Sequence, residues 1–320
     1  MSTITQRRRV SPLAILALCL ASLAASATAL FAQGPPATVV VFGDSYSDPG
    51  NGFTFVKTSS TPPDYGLSAF LIPSAPYAKG GHHLSNGDTW IEQLAGQLGA
   101  QRSVLPAFAS SNPYAMNFAI ATTRARVDGT NPSLSLQVNA FLEKTGGQVP
   151  SDALYVIEVG SNDVGDAAIS GNPAQAFAIL QAAANAIRDN IALLHSLGAQ
   201  HFLVWNVPNA GFTPTARISG TIGAATLATT TFNGLLAAAL NPLVLSGVNI
   251  IPFDANALVT AIVGAPQLFG LTNVVDACVT PNDPPFRCQN PDEYLFWDGI
   301  HPTKAAHALV AQAVAQLLGL

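Results

Sequence analysis

Apolar residues follow two rhythms along this chain. Four short unbroken runs, at residues 39–42, 154–157, 201–205 and 248–251, are rich in Val, Ile, Leu and aromatic side chains and are bounded by turn formers. Strands buried on both faces of a parallel sheet read this way. Between them lie longer stretches, at residues 134–144, 173–197, 222–240 and 255–263, whose apolar positions suit helices. After Pro302, which fits a first helical position, Leu309, Val310, Ala313, Val314, Leu317 and Leu318 recur on one face. Strands alternating with helices predict an α/β fold in which helices cover a parallel sheet. The segments 58–66, 73–88 and 106–113 are rich in Pro, Ser, Gly and Asn and read as loops. No internal repeat or heptad pattern interrupts this order.

The first 32 residues stand apart from it. Arg7, Arg8 and Arg9 precede an apolar run at residues 13–23, and small residues follow at Ala27, Thr28, Ala29 and Ala32. That is the layout of a cleaved export signal, and the apolar run is short for a membrane span. Residues 1–32 are therefore expected to be a signal peptide and residues 33–320 a single domain, secreted or periplasmic and without a stable transmembrane anchor. The formal charge is −5, and losing the three arginines makes the remainder more acidic still, which disfavours a nucleic-acid partner. Beyond Cys19 the cysteines are Cys278 and Cys288, an even pair in a chain bound for an oxidising compartment. They are expected to form a disulfide around a Pro-rich loop. No metal site is expected, because His and Cys do not recur at ligand spacing.

Three motifs carry chemistry, and each has an ordinary structural reading as well. Residues 39–48 run from a buried strand through Gly43 and Asp44 into Ser45, which delivers a hydroxyl to the end of a sheet where ligands bind. Serine there is also a common turn residue. Asp298, Gly299, Ile300 and His301 stand before the last helix, where a carboxylate can fix the tautomer of an imidazole that deprotonates a serine. An Asp that caps a helix beside an exposed His looks the same. Gly160, Ser161, Asn162 and Asp163 follow another buried strand, and the Asn162 amide is a suitable donor to an oxyanion, or else part of a turn. His307 and the pair His82 and His83 read as solvent-facing or rim residues. Trp90, Phe296 and Trp297 read either as core or as the lining of an acyl pocket, and residues 73–88 as a rim or lid.

In this order and at these distances, the three motifs resemble the GDSL or SGNH hydrolases, with further likeness to their lecithinase and hemolysin branch at residues 84–94, 206–214 and 290–298. The resemblance implies a flavodoxin-like three-layer α/β/α sandwich with about five parallel strands. It implies that Ser45 is acylated, that His301 is base and then acid, and that Asp298 orients His301. It also implies an oxyanion hole from the N–H of Ser45, the side chain of Asn162 and the N–H of a glycine. Thr122 stands where that glycine is expected, so a positive φ there would be costly. No cofactor is implied.

The expected function is a carboxylic-ester hydrolase of the lipase, esterase or phospholipase type, working through an acyl-enzyme on a lipid or small acyl ester, as a monomer. The alternatives are an acyltransferase or polysaccharide deacetylase with the same triad, and a non-catalytic secreted binding or toxin module.

Overall fold

The structure is a computed structural model that describes residues 36, 38–55, 77–109, 111–280 and 285–320. The expected signal peptide, all of the loop 58–66 and residues 73–76 of the loop 73–88 lie outside the described residues. Four strands, β1 (Val39–Gly43), β2 (Leu154–Glu158), β3 (His201–Trp205) and β4 (Asn249–Phe253), pair in parallel in the order β1-β2-β3-β4. The helices are α1 (Asn51–Phe55), α2 (Ala78–Gly81), α3 (Trp90–Leu98), α4 (Leu134–Lys144), α5 (Ser161–Ile169), α6 (Pro173–Ser196), α7 (Pro214–Ile218), α8 (Ile222–Leu245), α9 (Ala255–Gly264) and α10 (Lys304–Leu318).

Successive side chains of a strand point to opposite faces, and this sorts the core into two halves. Val40, Phe42, Tyr155, Ile157, Phe202 and Val204 pack with residues of α4, α5, α6 and α8. Val39, Val41, Leu154, Val156, Leu203 and Trp205 pack with residues of α3, α9 and α10. The result is a three-layer α/β/α sandwich.

The expected five strands resolve into four, with an irregular fifth position. Beside the free edge of β1, Val41 N–H donates to Met116 O at 2.9 Å, Phe118 N–H to Val41 O at 2.8 Å and Ile120 N–H to Gly43 O at 3.2 Å. The run 116–120 is therefore hydrogen-bonded as a sheet edge, yet only Asn117 forms a bridge with Val41. Its neighbour on the outer side is Pro106, which has no N–H to extend a ladder.

The last helix begins two residues later than expected. Thr303 is its N-cap, accepting from Ala306 N–H at 3.1 Å, and Pro302 precedes the cap. A second small sheet joins β5 (Asn273–Ala277) to β6 (Tyr294–Phe296) in parallel. The expected disulfide between Cys278 and Cys288 is present just after β5. Cys278 N–H and Val279 N–H donate to Phe296 O at 3.0 Å and Trp297 O at 2.9 Å, so the crosslinked loop borders Asp298.

Candidate active site

The chain leaves β1 toward the edge segment 116–120 on one side, then returns to β2 on the other. Ser45 thus stands at the carboxyl end of the sheet where strand order reverses, the usual place for a ligand crevice in open α/β sheets. Its turn is tightly pinned. Asp44 N–H donates to Glu158 O at 3.1 Å, Ser47 N–H to Asp44 O at 3.2 Å and Tyr46 N–H to Asp44 Oδ1 at 3.2 Å. Ser47 Oγ donates to Glu158 Oε2 at 2.7 Å and accepts from Trp90 Nε1 at 2.9 Å.

Asp298 and His301 occupy the tight loop before α10. His301 Nδ1 lies 2.8 Å from Asp298 Oδ2 and 3.0 Å from Oδ1. Asp298 Oδ1 also accepts from Ile300 N–H at 2.9 Å and His301 N–H at 2.8 Å. Burial works to raise the Asp298 carboxyl, but the His301 ring and these amides hold it below the usual carboxylate range. The other ring nitrogen of His301 is left for the cavity, and the Tyr46 ring stands edge-on to the imidazole at 6.3 Å between centroids.

Tyr77, which the sequence did not single out, donates its hydroxyl to Asp298 Oδ2 at 2.7 Å. It lies within the segment 73–88 expected to be a rim or lid, and it is buried. Leu84, from the same segment, and Thr122 line the cavity, so it is built by residues far apart in the chain. No local pattern announces Tyr77, because its partner is 221 positions away.

Asn162 lies in the first turn of α5, one residue after its start, and lines the cavity. Its Nδ2 spends one hydrogen on Thr123 O at 2.9 Å, which fixes the amide plane beside Thr122. Thr122 itself has φ of +66°, the costly left-handed conformation for a β-branched residue. Its carbonyl accepts from Arg124 Nη1 at 2.7 Å, and Arg124 is anchored on both Asp166 oxygens, at 2.9 and 3.1 Å. Asp163, the next residue of the same motif, accepts from Ala125 N–H at 2.7 Å and from Arg126 Nη1 at 2.6 Å. The two motifs are thereby tied together.

Ser45, Thr122, Asn162 and His301 all line one cavity of about 530 Å³. Its inner wall is largely apolar, with Trp90, Trp205, Val259, Ile262, Phe296 and Val310. Of the three aromatics read as core or pocket, Trp90 and Phe296 line the cavity, whereas Trp297 packs with Tyr77 in a separate core cluster.

The histidines differ from expectation. His307 is buried, accepts from Trp90 N–H at 3.3 Å, and is pushed down to about 3 by burial, so its ring is neutral. His83 is also buried, with Nε2 2.7 Å from Glu92 Oε2, and of the doublet only His82 is exposed. Helix periodicity alone placed neither, because α10 packs against α3 and covers that side. His83, Asp88 and Glu92 have cation-ligand types close together, and the Lys79 ammonium already stands 3.0 Å from Asp88 and 2.8 Å from Glu92.

A largely apolar cavity lined by a hydroxyl, an oriented imidazole and amide donors has the parts that ester chemistry needs. The chain belongs to the GDSL-like lipase/acylhydrolase family, which matches residues 39–314, and is a hydrolase acting on ester bonds. It is 25% identical to the phosphatidylcholine-sterol acyltransferase of Aeromonas hydrophila, over 94% of this chain and 96% of that protein. It is 29% identical to esterase EstA of Pseudomonas aeruginosa over 98% of this chain, and spans 51% of the length of that protein. A GDSL esterase/lipase of Arabidopsis thaliana is 26% identical over 91% of this chain and 94% of its own length.

Proposed function

We propose that the protein hydrolyses acyl esters of lipids through an acyl-enzyme on Ser45. The observation that carries this reading is that His301, held by Asp298, and Ser45 face the same cavity although 256 residues separate them in the chain. His301 takes the proton of Ser45 as its Oγ attacks the ester carbonyl, and Asp298 keeps the imidazole in the right tautomer and favours its charged form. The oxyanion is met by the N–H groups of Ser45 and Thr122 and by the second Nδ2 hydrogen of Asn162. Collapse expels the alcohol, which receives the proton from His301. Water, deprotonated by the same imidazole, then attacks the acyl carbonyl, and His301 returns the proton to Ser45 Oγ as the acid leaves.

A lipid-type acyl chain fits the apolar wall, and the lip of the cavity continues in the same character with Ile169, which is exposed. We further propose that residues 1–32 are removed on export and that residues 33–320 act as one secreted or periplasmic domain. The Cys278–Cys288 disulfide supports an oxidising destination. Likeness to an acyltransferase along nearly its whole length favours one second reading, in which an alcohol replaces water as acceptor.

Ser45→Ala tests the proposal. Turnover of p-nitrophenyl esters is expected to fall by about 10⁴-fold or more, and a fluorophosphonate should label the wild type but not the variant. Hydrolysis at the wild-type rate by a folded Ser45→Ala protein would remove Ser45 from the mechanism.

A further inference from the structure

Beneath the Ser45 turn lie two carboxyl groups that the mechanism above does not use. Asp44 and Glu158 are both buried, and their carboxyl groups are in hydrogen-bonding contact. Each is otherwise served on one oxygen by a neighbour, Asp44 Oδ1 by Tyr46 N–H and Glu158 Oε2 by Ser47 Oγ. Asp44 Oδ2 is sealed from solvent with no donor among the described residues. A methyl group on Gly43 would come within 2.8 Å of Glu158 O and 3.0 Å of Glu158 Oε2.

Two carboxylates are acceptors only and cannot bond to each other. We infer that Glu158 and Asp44 share one proton, carried by Glu158 and donated to Asp44 Oδ2, and that this proton makes Glu158 a positioning residue for Ser45. Glu158 then clamps the turn at three points: its carbonyl takes Asp44 N–H, its Oε2 takes the Ser47 hydroxyl, and its acidic proton fills the one orphan acceptor. The remaining negative charge sits on Asp44. His301 faces it from the loop before α10, and Asp163, paired with Arg126, faces it from α5. The Asp44 charge therefore favours the imidazolium that forms when Ser45 loses its proton. Burial pushes Asp44 up to about 7 and Glu158 well above the usual range, in keeping with a proton held at neutral pH. Removing it at alkaline pH leaves two charges in contact in a dry site, and the turn can no longer hold its place.

This inference rests on the reading of Ser45 as nucleophile for its kinetic part only. Infrared spectroscopy tests the proton itself. The wild type at pH 6 is expected to show the carbonyl stretch of a buried protonated carboxyl that survives in Ser45→Ala, disappears in Glu158→Gln, and fades as pH is raised. A wild-type minus Glu158→Gln difference without that band would overturn the shared proton, whether or not the protein is an esterase. Loss of label in Ser45→Ala is a separate readout, so the two failures are distinguishable. In the kinetic arm, Glu158→Ala is expected to lower kcat by about 100-fold, because it orphans buried polar groups. Glu158→Gln, whose amide donates where the acid did and cannot be deprotonated, should recover most of that loss and lack the alkaline decline of kcat. An unchanged alkaline limb in Glu158→Gln would sink the positioning role. Should Glu158→Gln fail to fold, Asp44→Asn takes the same measurements, since its amide can donate to an ionised Glu158.

Discussion

Thr122 holds a backbone conformation that glycine would adopt freely, at φ of +66°. A left-handed threonine costs about 1–2 kcal/mol, while a glycine costs about 0.5–1 kcal/mol more in lost chain freedom on folding. Thr122→Gly is therefore expected to leave stability unchanged or raise it by up to about 1 kcal/mol in urea unfolding, with its N–H still in place. A clear loss of stability would mean that the threonine side chain contributes packing that outweighs the strain. Tyr77 calls for the opposite substitution. Its hydroxyl meets the same Asp298 oxygen that faces His301 Nδ1, and a hydrogen bond to a charged group contributes about 1.5–3 kcal/mol. Tyr77→Phe should lower kcat by about tenfold or more while circular dichroism stays native; an unchanged kcat would leave Tyr77 as packing alone. Ser45, Asn162, Asp298 and His301 were readable as candidates because each sits next to an element with a clear local pattern. Tyr77 was not, and neither was the burial of His307 and His83, because these depend on contacts across most of the chain.

The same contrast holds for whole elements. Strands β1 to β3 are buried on both faces, so their runs of Val, Ile and Leu stand out, whereas β4, at the sheet edge, buries Ile251 and Phe253 and exposes Pro252. Helices α4, α6 and α9 begin and end within a residue or two of where periodicity puts them. Short α3 was hidden after a Gly- and Pro-rich loop, although Thr89 and Glu92 carry a capping-box spacing and Glu92 does accept from Thr89 N–H at 2.9 Å. The edge run 116–120 and the three-residue β6 offered too few positions for a period to show. Cysteine parity, by contrast, located the staple correctly. The Cys278–Cys288 bond closes a ten-residue separation and should contribute about 2–3 kcal/mol, mostly by restricting the unfolded chain. Because the stapled segment is hydrogen-bonded to Phe296 and Trp297, reduction should also speed thermal inactivation of the esterase. Urea unfolding with and without reductant measures the first effect, and coincident curves would show that the bond adds nothing to stability.

Across the molecule, buried titratable groups set how stability responds to pH. Asp44 and Glu158, both raised by burial, keep between them one shared proton that the unfolded chain has released by about pH 4.5. Asp48 and Asp163, raised to about 6 by burial, act in the same sense below that pH. His307 acts against them: held neutral down to about 3, it lacks a proton that the unfolded chain binds below about 6.5. Between about pH 4.5 and 6.5 the folded chain thus holds several extra carboxyl protons and lacks one on His307, so it binds more protons than the unfolded chain. Stability must then fall as pH rises. Above about 6.5 His307 no longer opposes the trend, and the decline continues for as long as the Asp44–Glu158 pair keeps its proton. Urea unfolding at pH 5 and pH 8 should show the protein more stable at pH 5, with each uncompensated proton contributing about 1.4 kcal/mol per pH unit. Greater stability at pH 8 would mean that these carboxyls are ionised in the folded protein, and that their burial is offset by donors rather than by protons.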